Sequence, residues 1–239
     1  MKGYKHNKDN NKSNMNAAVL YSGGKDSNLA LFKAHKLGYN ITCLVSLFPD
    51  STESFMFHRP NIEWTRIQAS CLNLPQIIIR TKGIKEKELD DLKKGLEIAK
   101  KRFDVKTIIT GAVRSRYQET RIRKVAKELN LGIINPLWLE DEIKLLKDLQ
   151  KMGFRVIITR ISGYPLTKNY LGKDINTLID FLNNNRKFLN PSGEGGEYET
   201  FVLDMPLFSK RIKILESKVL EHGENEADLI FKKVITEAK

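Results

Sequence analysis

The stretch Ala17-Ala18-Val19-Leu20-Tyr21-Ser22-Gly23-Gly24-Lys25-Asp26-Ser27, followed by Leu29-Ala30-Leu31-Phe32-Lys33-Ala34, decides the fold. An apolar run, a glycine turn and a helix-forming segment in that order read as a strand, a loop and a helix N-terminus. Backbone N–H groups and the positive end of the helix dipole hold an anion at such a junction. Gly23 and Gly24 permit a sharp turn and close approach to a phosphate. Ser22 and Ser27 add hydroxyl donors, and Lys25 adds a point charge. The expected ligand is a phosphate chain. A kinase-type loop, with Gly, four residues and then Gly-Lys-Ser/Thr, is excluded by spacing. Val19 stands five positions before Gly24, and Asp26 separates Lys25 from Ser27.

Beyond this loop, apolar segments alternate with amphipathic ones. Residues 17–21, 41–47, 76–80, 107–110 and 132–134 read as short buried strands, and 25–37, 61–72, 86–103 and 115–130 as helices. Leu89, Leu92, Leu96, Ala99 and Phe103 form one apolar stripe at helical spacing. The alternation predicts an α/β fold, a parallel sheet with helices on both faces. Such sheets bind ligands beyond the carboxyl ends of their strands, where the Ser22–Ser27 loop falls. Near Pro136 the rhythm changes. A helix over 141–152, a strand over 155–161, a helix over 173–185 and a glycine-rich turn follow. Strands across 211–236, around a polar turn at 222–225, complete a smaller α+β region. The expected organisation is a disordered tail over 1–15, a nucleotide-binding domain over 16–136 and a substrate-binding domain over 137–239.

Composition narrows the class. A chain of 239 residues buries a real core. It contains no apolar run long enough to span a bilayer, so no membrane partner is expected. The Lys/Asn-rich N-terminus lacks the apolar centre of a signal peptide. Two cysteines, Cys43 and Cys71, suit a reducing cytoplasm and fall where core residues are expected. The net charge is +12, from 41 Lys and Arg against 29 Asp and Glu, but it is dispersed, with no long basic block. Nucleic acid is therefore not the expected principal partner.

Four further clusters stand out. Phe57-His58-Arg59-Pro60-Asn61 follows the second strand, Gly111-Ala112-Val113-Arg114-Ser115-Arg116-Tyr117-Gln118 the fourth, and Asn135-Pro136-Leu137-Trp138 the fifth. All three fall on the edge that carries the phosphate loop. The fourth cluster, Gly193-Glu194-Gly195-Gly196-Glu197-Tyr198-Glu199-Thr200, precedes an apolar strand over 201–204.

The loop resembles that of the N-type ATP pyrophosphatases, an adenine-nucleotide α-hydrolase-like (HUP-type) fold. The loop, the segment 111–121, the Pro-Leu-Trp at 136–138 and the run 193–200 together resemble the diphthine–ammonia ligases in their short archaeal form. The match extends from about Ala17 to Pro206, and the run 193–200 is its most discriminating part. The resemblance implies ATP and Mg²⁺ as cofactors and elongation factor 2 as protein substrate. ATP adenylates the diphthine carboxylate and ammonium displaces AMP. A tRNA-modifying ATP pyrophosphatase is the alternative, and a homodimer is left open.

Roles follow residue by residue. Ser22, Gly23, Gly24, Lys25 and Ser27 are expected to hold the leaving pyrophosphate. Lys25, read as an exposed loop lysine, is expected to matter for turnover and little for the fold. Asp26 reads either as a Mg²⁺ ligand or as a carboxylate favoured by the helix N-terminus. Gly111 is expected to let the backbone approach the nucleotide, with Ser115 beside it. Arg114, Arg116 and Arg121 read as partners for the α-phosphate or the substrate carboxylate, or in part as an exposed helix face. A lone loop histidine reads first as a hydrogen-bonding residue; the resemblance moves His58 to the nucleotide. Tyr117 and Gln118 are assigned to the substrate. Glu194, Glu197 and Glu199 with Tyr198, beside Gly195 and Gly196, combine negative charge with an aromatic face. That pairing suits a quaternary ammonium, with Trp138 as a further wall. The same carboxylates also suit Mg²⁺ or the incoming ammonium.

Overall fold

The computed structural model of the chain describes residues 15–49, 61–82 and 87–239. Five strands pair in parallel: β1 (Asn16–Leu20), β2 (Asn40–Pro49), β3 (Gln76–Thr81), β4 (Thr107–Ile109) and β5 (Gly132–Ile134). Their order is β3-β2-β1-β4-β5. The chain therefore reverses its direction of travel across the sheet at β1, and the crevice between the ends of β1 and β4 is the switch point at which such sheets bind ligands.

The intervening helices are α1 (Lys25–Lys36), α2 (Thr65–Leu72), α3 (Lys87–Phe103) and α4 (Arg116–Glu128). Neighbouring residues of a strand point to opposite faces. Ala18 and Ile108 accordingly join the stripe Leu92, Leu96 and Ala99 of α3 and Val125 of α4 in one buried cluster. Ala17, Val19 and Ile109 face the other way, onto Leu29 and Leu31 of α1 and Ala69 of α2. Helices cover both faces of the sheet, as the alternation of segments predicts.

After α5 (Glu142–Lys151) comes an antiparallel sheet of β6 (Arg155–Ser162), β7 (Tyr198–Asp204), β8 (Arg211–Gly223) and β9 (Glu226–Glu237), ordered β7-β6-β9-β8. Its apolar residues Ile158, Phe201 and Phe231 belong to the same buried cluster as α1. Phe201 and Phe231 meet edge to face at 5.2 Å. The second sheet is thus packed against the helix that carries the glycine loop. Among the described residues no helix is long and apolar enough to cross a membrane.

Two expected elements change. The helix over 173–185 is a 3₁₀ turn, Ile175–Leu178, continued by α6 (Ile179–Asn184). Gly172 N–H donates to Ile158 O and Lys173 O accepts from Ile158 N–H, so the preceding backbone is held as an extension of the sheet. Asp174 then caps the turn through Asn176 N–H. The strand expected at 201–204 begins at Tyr198, which places Tyr198, Glu199 and Thr200 in β7. Residues 1–14 and the cluster 57–60, with His58, lie outside the described residues.

Candidate active site

The loop after β1 is built mainly by its own backbone and by distant polar side chains. Gly23 has φ +79, a conformation that side-chain-bearing residues rarely adopt, and a Cβ there would stand 2.4 Å from Gln68 Oε1. The Gly23 carbonyl accepts from Gln68 Nε2 at 3.0 Å and from Val202 N–H at 3.1 Å. Neither donor lines the cleft, so this carbonyl is drawn away from the place where an anion would sit. Gly24 caps α1 and accepts from Asn28 Nδ2, Asn28 N–H and Ser27 Oγ. Ser22 and Ser27 hydroxyls lie 3.3 Å apart. The helix N-terminus thus presents hydroxyls and N–H groups without a carboxylate cap of its own.

Lys25 corrects the expectation of an exposed loop lysine. It is 3% exposed. Its ammonium donates to Ser192 O at 2.5 Å and to Asp26 Oδ2 at 2.7 Å, and stands 5.4 Å from the Tyr198 ring centroid. The Lys25 N–H donates to Thr200 Oγ1 at 3.1 Å. Lys25 therefore joins the phosphate loop to the glycine-rich segment more than a hundred and sixty residues away.

That segment folds over the loop as a strap. Glu194 accepts from the backbone N–H groups of Val113 and Arg114, each at 2.6 Å, which ties the strap to the turn between β4 and α4. Charge-assisted hydrogen bonds of this kind are strong. Glu197 Oε1 accepts from Asn190 N–H at 2.8 Å, and its Oε2 is buried without a hydrogen-bond partner. Tyr198 is 2% exposed and donates to Pro191 O. Burial, reinforced by the Asp26, Glu197 and Glu142 carboxylates, raises its hydroxyl well above the ordinary tyrosine range. The expected open aromatic face at Tyr198 is instead a buried ring with the Lys25 ammonium over it.

Loop, turn and strap enclose a cleft of about 290 Å³ at the switch point. Of the residues singled out by sequence, Ser22, Gly24, Lys25, Asp26, Ser27, Gly111, Gln118, Glu194, Gly195, Gly196, Tyr198 and Glu199 line it. Gly23 and Glu197 support it from behind. Gly111 lines it for a reason other than the expected one. A Cβ there would lie 2.7 Å from the Asp26 carbonyl carbon and 2.9 Å from Ser27 N, so the close approach is to the helix that carries the loop. Ser115 is the N-cap of α4, accepting from Gln118 N–H. Arg121 stacks on the Tyr117 ring at 3.6 Å. Arg114 is exposed and pairs with Glu142 at 3.2 Å. Trp138 is half-buried and does not line the cleft.

Several contributors escape sequence reasoning. Gln68 is fully buried and bridges Gly23 O and Val202 O; its signal is a polar residue three after Thr65 on the inner face of a helix. Ser192 and Thr200 flank the conspicuous glycines and hold Lys25. Thr110, next to Gly111, is 2% exposed, lines the cleft and has no partner for its hydroxyl. A desolvated hydroxyl on a cleft wall is matched by a polar ligand.

Comparison with known proteins bears on this geometry. A model of the diphthamide synthase N-terminal domain matches residues 15–133, and one of the diphthamide synthase C-terminal domain matches 141–235. The diphthine–ammonia ligase of Schizosaccharomyces pombe is 36% identical over 89% of this chain, which spans 38% of that protein's length. The bovine and human proteins of the same name are each 31% identical over 87% of this chain and 86% of theirs. A solved structure described as a predicted subunit of tRNA methyltransferase, from Methanocaldococcus jannaschii, covers 80% of this chain at 22% identity with a TM-score of 0.44.

Proposed function

Because the chain belongs to the diphthine–ammonia ligase (diphthamide synthase) family, we propose that it amidates the diphthine carboxylate of elongation factor 2 with ammonium, using ATP and releasing AMP and pyrophosphate. The observation that carries the reading is the glycine loop at the switch point, closed by an acidic strap tied to it through Lys25 and to the turn after β4 through Glu194. ATP fits this cleft. The loop supplies N–H groups and hydroxyls for phosphates, and the Thr110 hydroxyl supplies a further polar contact.

In the first step a carboxylate oxygen of diphthine attacks the α-phosphorus, and the bond to the bridging oxygen of the β-phosphate breaks. The loop and Lys25 stabilise the charge that develops on pyrophosphate. We assign Arg121, three residues after Gln118 on α4, to the α-phosphate; its guanidinium lies over the Tyr117 ring at 3.6 Å. In the second step ammonia attacks the acyl carbon and AMP leaves. Holding the reactants together in a closed cleft supplies much of the acceleration. The carboxylate of Glu199, which lines the cleft, provides negative charge for the trimethylammonium group or the ammonium, while Glu197 braces the strap from behind. Tyr198 sets the position of Lys25.

Among the described residues no cluster of three or more His, Cys, Asp or Glu is built to hold a metal. Asp26 alone, lining the cleft, fits a Mg²⁺ that takes its other ligands from phosphate and water. Such an ion neutralises phosphate charge. The net charge of +12 favours one competitor, a tRNA-modifying pyrophosphatase, which predicts tRNA binding that weakens steeply with salt. Both cysteines are buried, and burial pushes the Cys43 thiol up to about 11, so neither is suited to sulfur transfer. Buried, unpaired thiols also accord with a reducing cytoplasm.

The test is incubation with ATP, Mg²⁺, ammonium and elongation factor 2 bearing diphthine. The expected outcome is AMP, pyrophosphate and an intact-mass change equal to a hydroxyl replaced by an amine. ADP in place of AMP overturns the reading.

A further inference from the structure

We infer that β8 is an interface between two copies of this chain. It pairs antiparallel with β8 of a second subunit about a twofold axis at Ser217, joining the two antiparallel sheets edge to edge. No residue of β8 lines the cleft, so the inference stands apart from the chemistry proposed above.

Three observations carry it. First, β8 is a long open edge. The antiparallel sheet ends in β7 on one side and β8 on the other. The β7 edge is closed by the glycine loop and α2: Val202 N–H donates to Gly23 O, and Gln68 Nε2 donates to Val202 O. The β8 edge runs for thirteen residues, and among the described residues its backbone hydrogen-bonds only to β9. A row of unpaired N–H and C=O groups of that length is a template for another strand.

Second, the hairpin displays apolar side chains to water. Leu215, Val219 and Leu220 of β8 are 48%, 40% and 37% exposed, and Ile235 of β9, opposite Lys213, is 39% exposed. Four of the nine large apolar side chains exposed among the described residues therefore lie on this one hairpin. Apolar groups gathered in this way mark an interaction surface.

Third, the strand is its own complement, and this names the occupant. Residues 213–221 read Lys-Ile-Leu-Glu-Ser-Lys-Val-Leu-Glu. Rotation about Ser217 sets Lys213 against Glu221 of the partner subunit, Ile214 against its Leu220, Leu215 against its Val219 and Glu216 against its Lys218. The twofold axis makes each of these pairs twice. Every pair is apolar with apolar or acid with base. The ladder to β9 is irregular at Glu216. It still holds Ile214 opposite Val234 and Ser217 opposite Phe231, three residues along on each strand, so the count along β8 is unbroken. Lys213 and Glu221 already have exposed partners within the chain, Glu237 at 3.5 Å and Lys168 at 2.9 Å. Glu216 and Lys218 have no ion-pair partner among the described residues, so the charge argument rests on them. Charges on an edge ordinarily repel an incoming strand, whereas this axis sets each against its opposite.

The experiment is sedimentation velocity of the full chain over a concentration series, with melting temperature as the control for folding. The parent is expected to sediment as a dimer. Glu216→Lys puts like charge opposite Lys218 twice per dimer, and Lys218→Glu does the same opposite Glu216. Each should raise the dissociation constant of the dimer about tenfold or more. The double variant exchanges the two charges and restores their opposition, so its dissociation constant should return to within about threefold of the parent. All three substitutions lie on exposed side chains outside the cleft, and melting temperatures should match the parent. A parent that stays monomeric up to about 0.1 mM overturns the inference. Single variants that dimerise as tightly as the parent overturn it too, and so does a double variant as weak as either single one.

Discussion

The cleft is lined by two glycine-bearing segments that work in opposite ways. The loop at 22–27 is made by its own backbone, a glycine at positive φ and a helix N-terminus, and its hydroxyls and N–H groups face the cleft. The strap at 190–200 spends its acidic and aromatic groups internally. Glu194 goes to two N–H groups after β4, Glu197 Oε1 to Asn190, and Tyr198 to Pro191 and the underside of Lys25. A short motif can thus be a ligand cradle or a fastening, and composition alone does not separate the two. What separates them is where the partners lie: the Ser22 and Ser27 hydroxyls bond only within the loop, whereas Glu194 of the strap is fastened to N–H groups about eighty residues away.

Lys25 is where the two segments meet, and its replacement is the largest perturbation. Lys25→Met removes the charge that faces pyrophosphate, and AMP formation is expected to fall by about 10²–10³-fold or more. It also leaves the buried Ser192 carbonyl without its donor, which costs about 1–3 kcal/mol. Thermal melting should therefore fall by several degrees. A variant that loses activity with its melting temperature intact would show the ammonium to be a ligand of phosphate only, and the fastening role would be lost.

The glycines sharpen the contrast. Gly111→Ala places a methyl against the Asp26 and Ser27 backbone, and overpacking of that kind costs about 1–3 kcal/mol. Because the displaced atoms begin α1, KM for ATP should rise with it. Gly196 sits at φ +88 with nothing within 4 Å of a Cβ. Its replacement by Ala should cost only about 1 kcal/mol of backbone strain and leave KM for ATP unchanged. Calorimetry and steady-state kinetics on the two variants distinguish a glycine kept for space from one kept for conformation.

Local physics made the first segment legible and hid the second. Strand, turn and helix over 17–36 follow from apolar runs, two glycines and helix formers in immediate succession, and the parallel sheet follows from repetition of that rhythm. Glu194 meets its partners across about eighty residues and Lys25 meets Ser192 across a hundred and sixty-seven, distances at which no pattern in the chain announces a contact. The segment 173–185 was misleading for another reason. Ile175, Leu178, Ile179 and Leu182 have helical spacing and are all buried, yet Gly172 and Lys173 are bound to Ile158 of β6, so the turn starts late. Thr110 and Gln68 carry a faint signal, polar residues where apolar ones would suit, and only burial reveals its meaning.

Tyr198→Phe is the mildest break. It removes the hydroxyl that donates to Pro191 O and keeps the ring beneath Lys25. One neutral hydrogen bond is worth about 1 kcal/mol, so a small fall in melting temperature is expected. Turnover should stay within a few-fold, since the ring is what positions the ammonium. The hydroxyl is held protonated far above its ordinary range by burial and by three carboxylates, so no alkaline limb of the pH–rate profile should move in the variant. Were turnover abolished instead, the hydroxyl would have to act on the substrate. The strap would then be a reacting surface, and the division between cradle and fastening would fail at the residue that most depends on it.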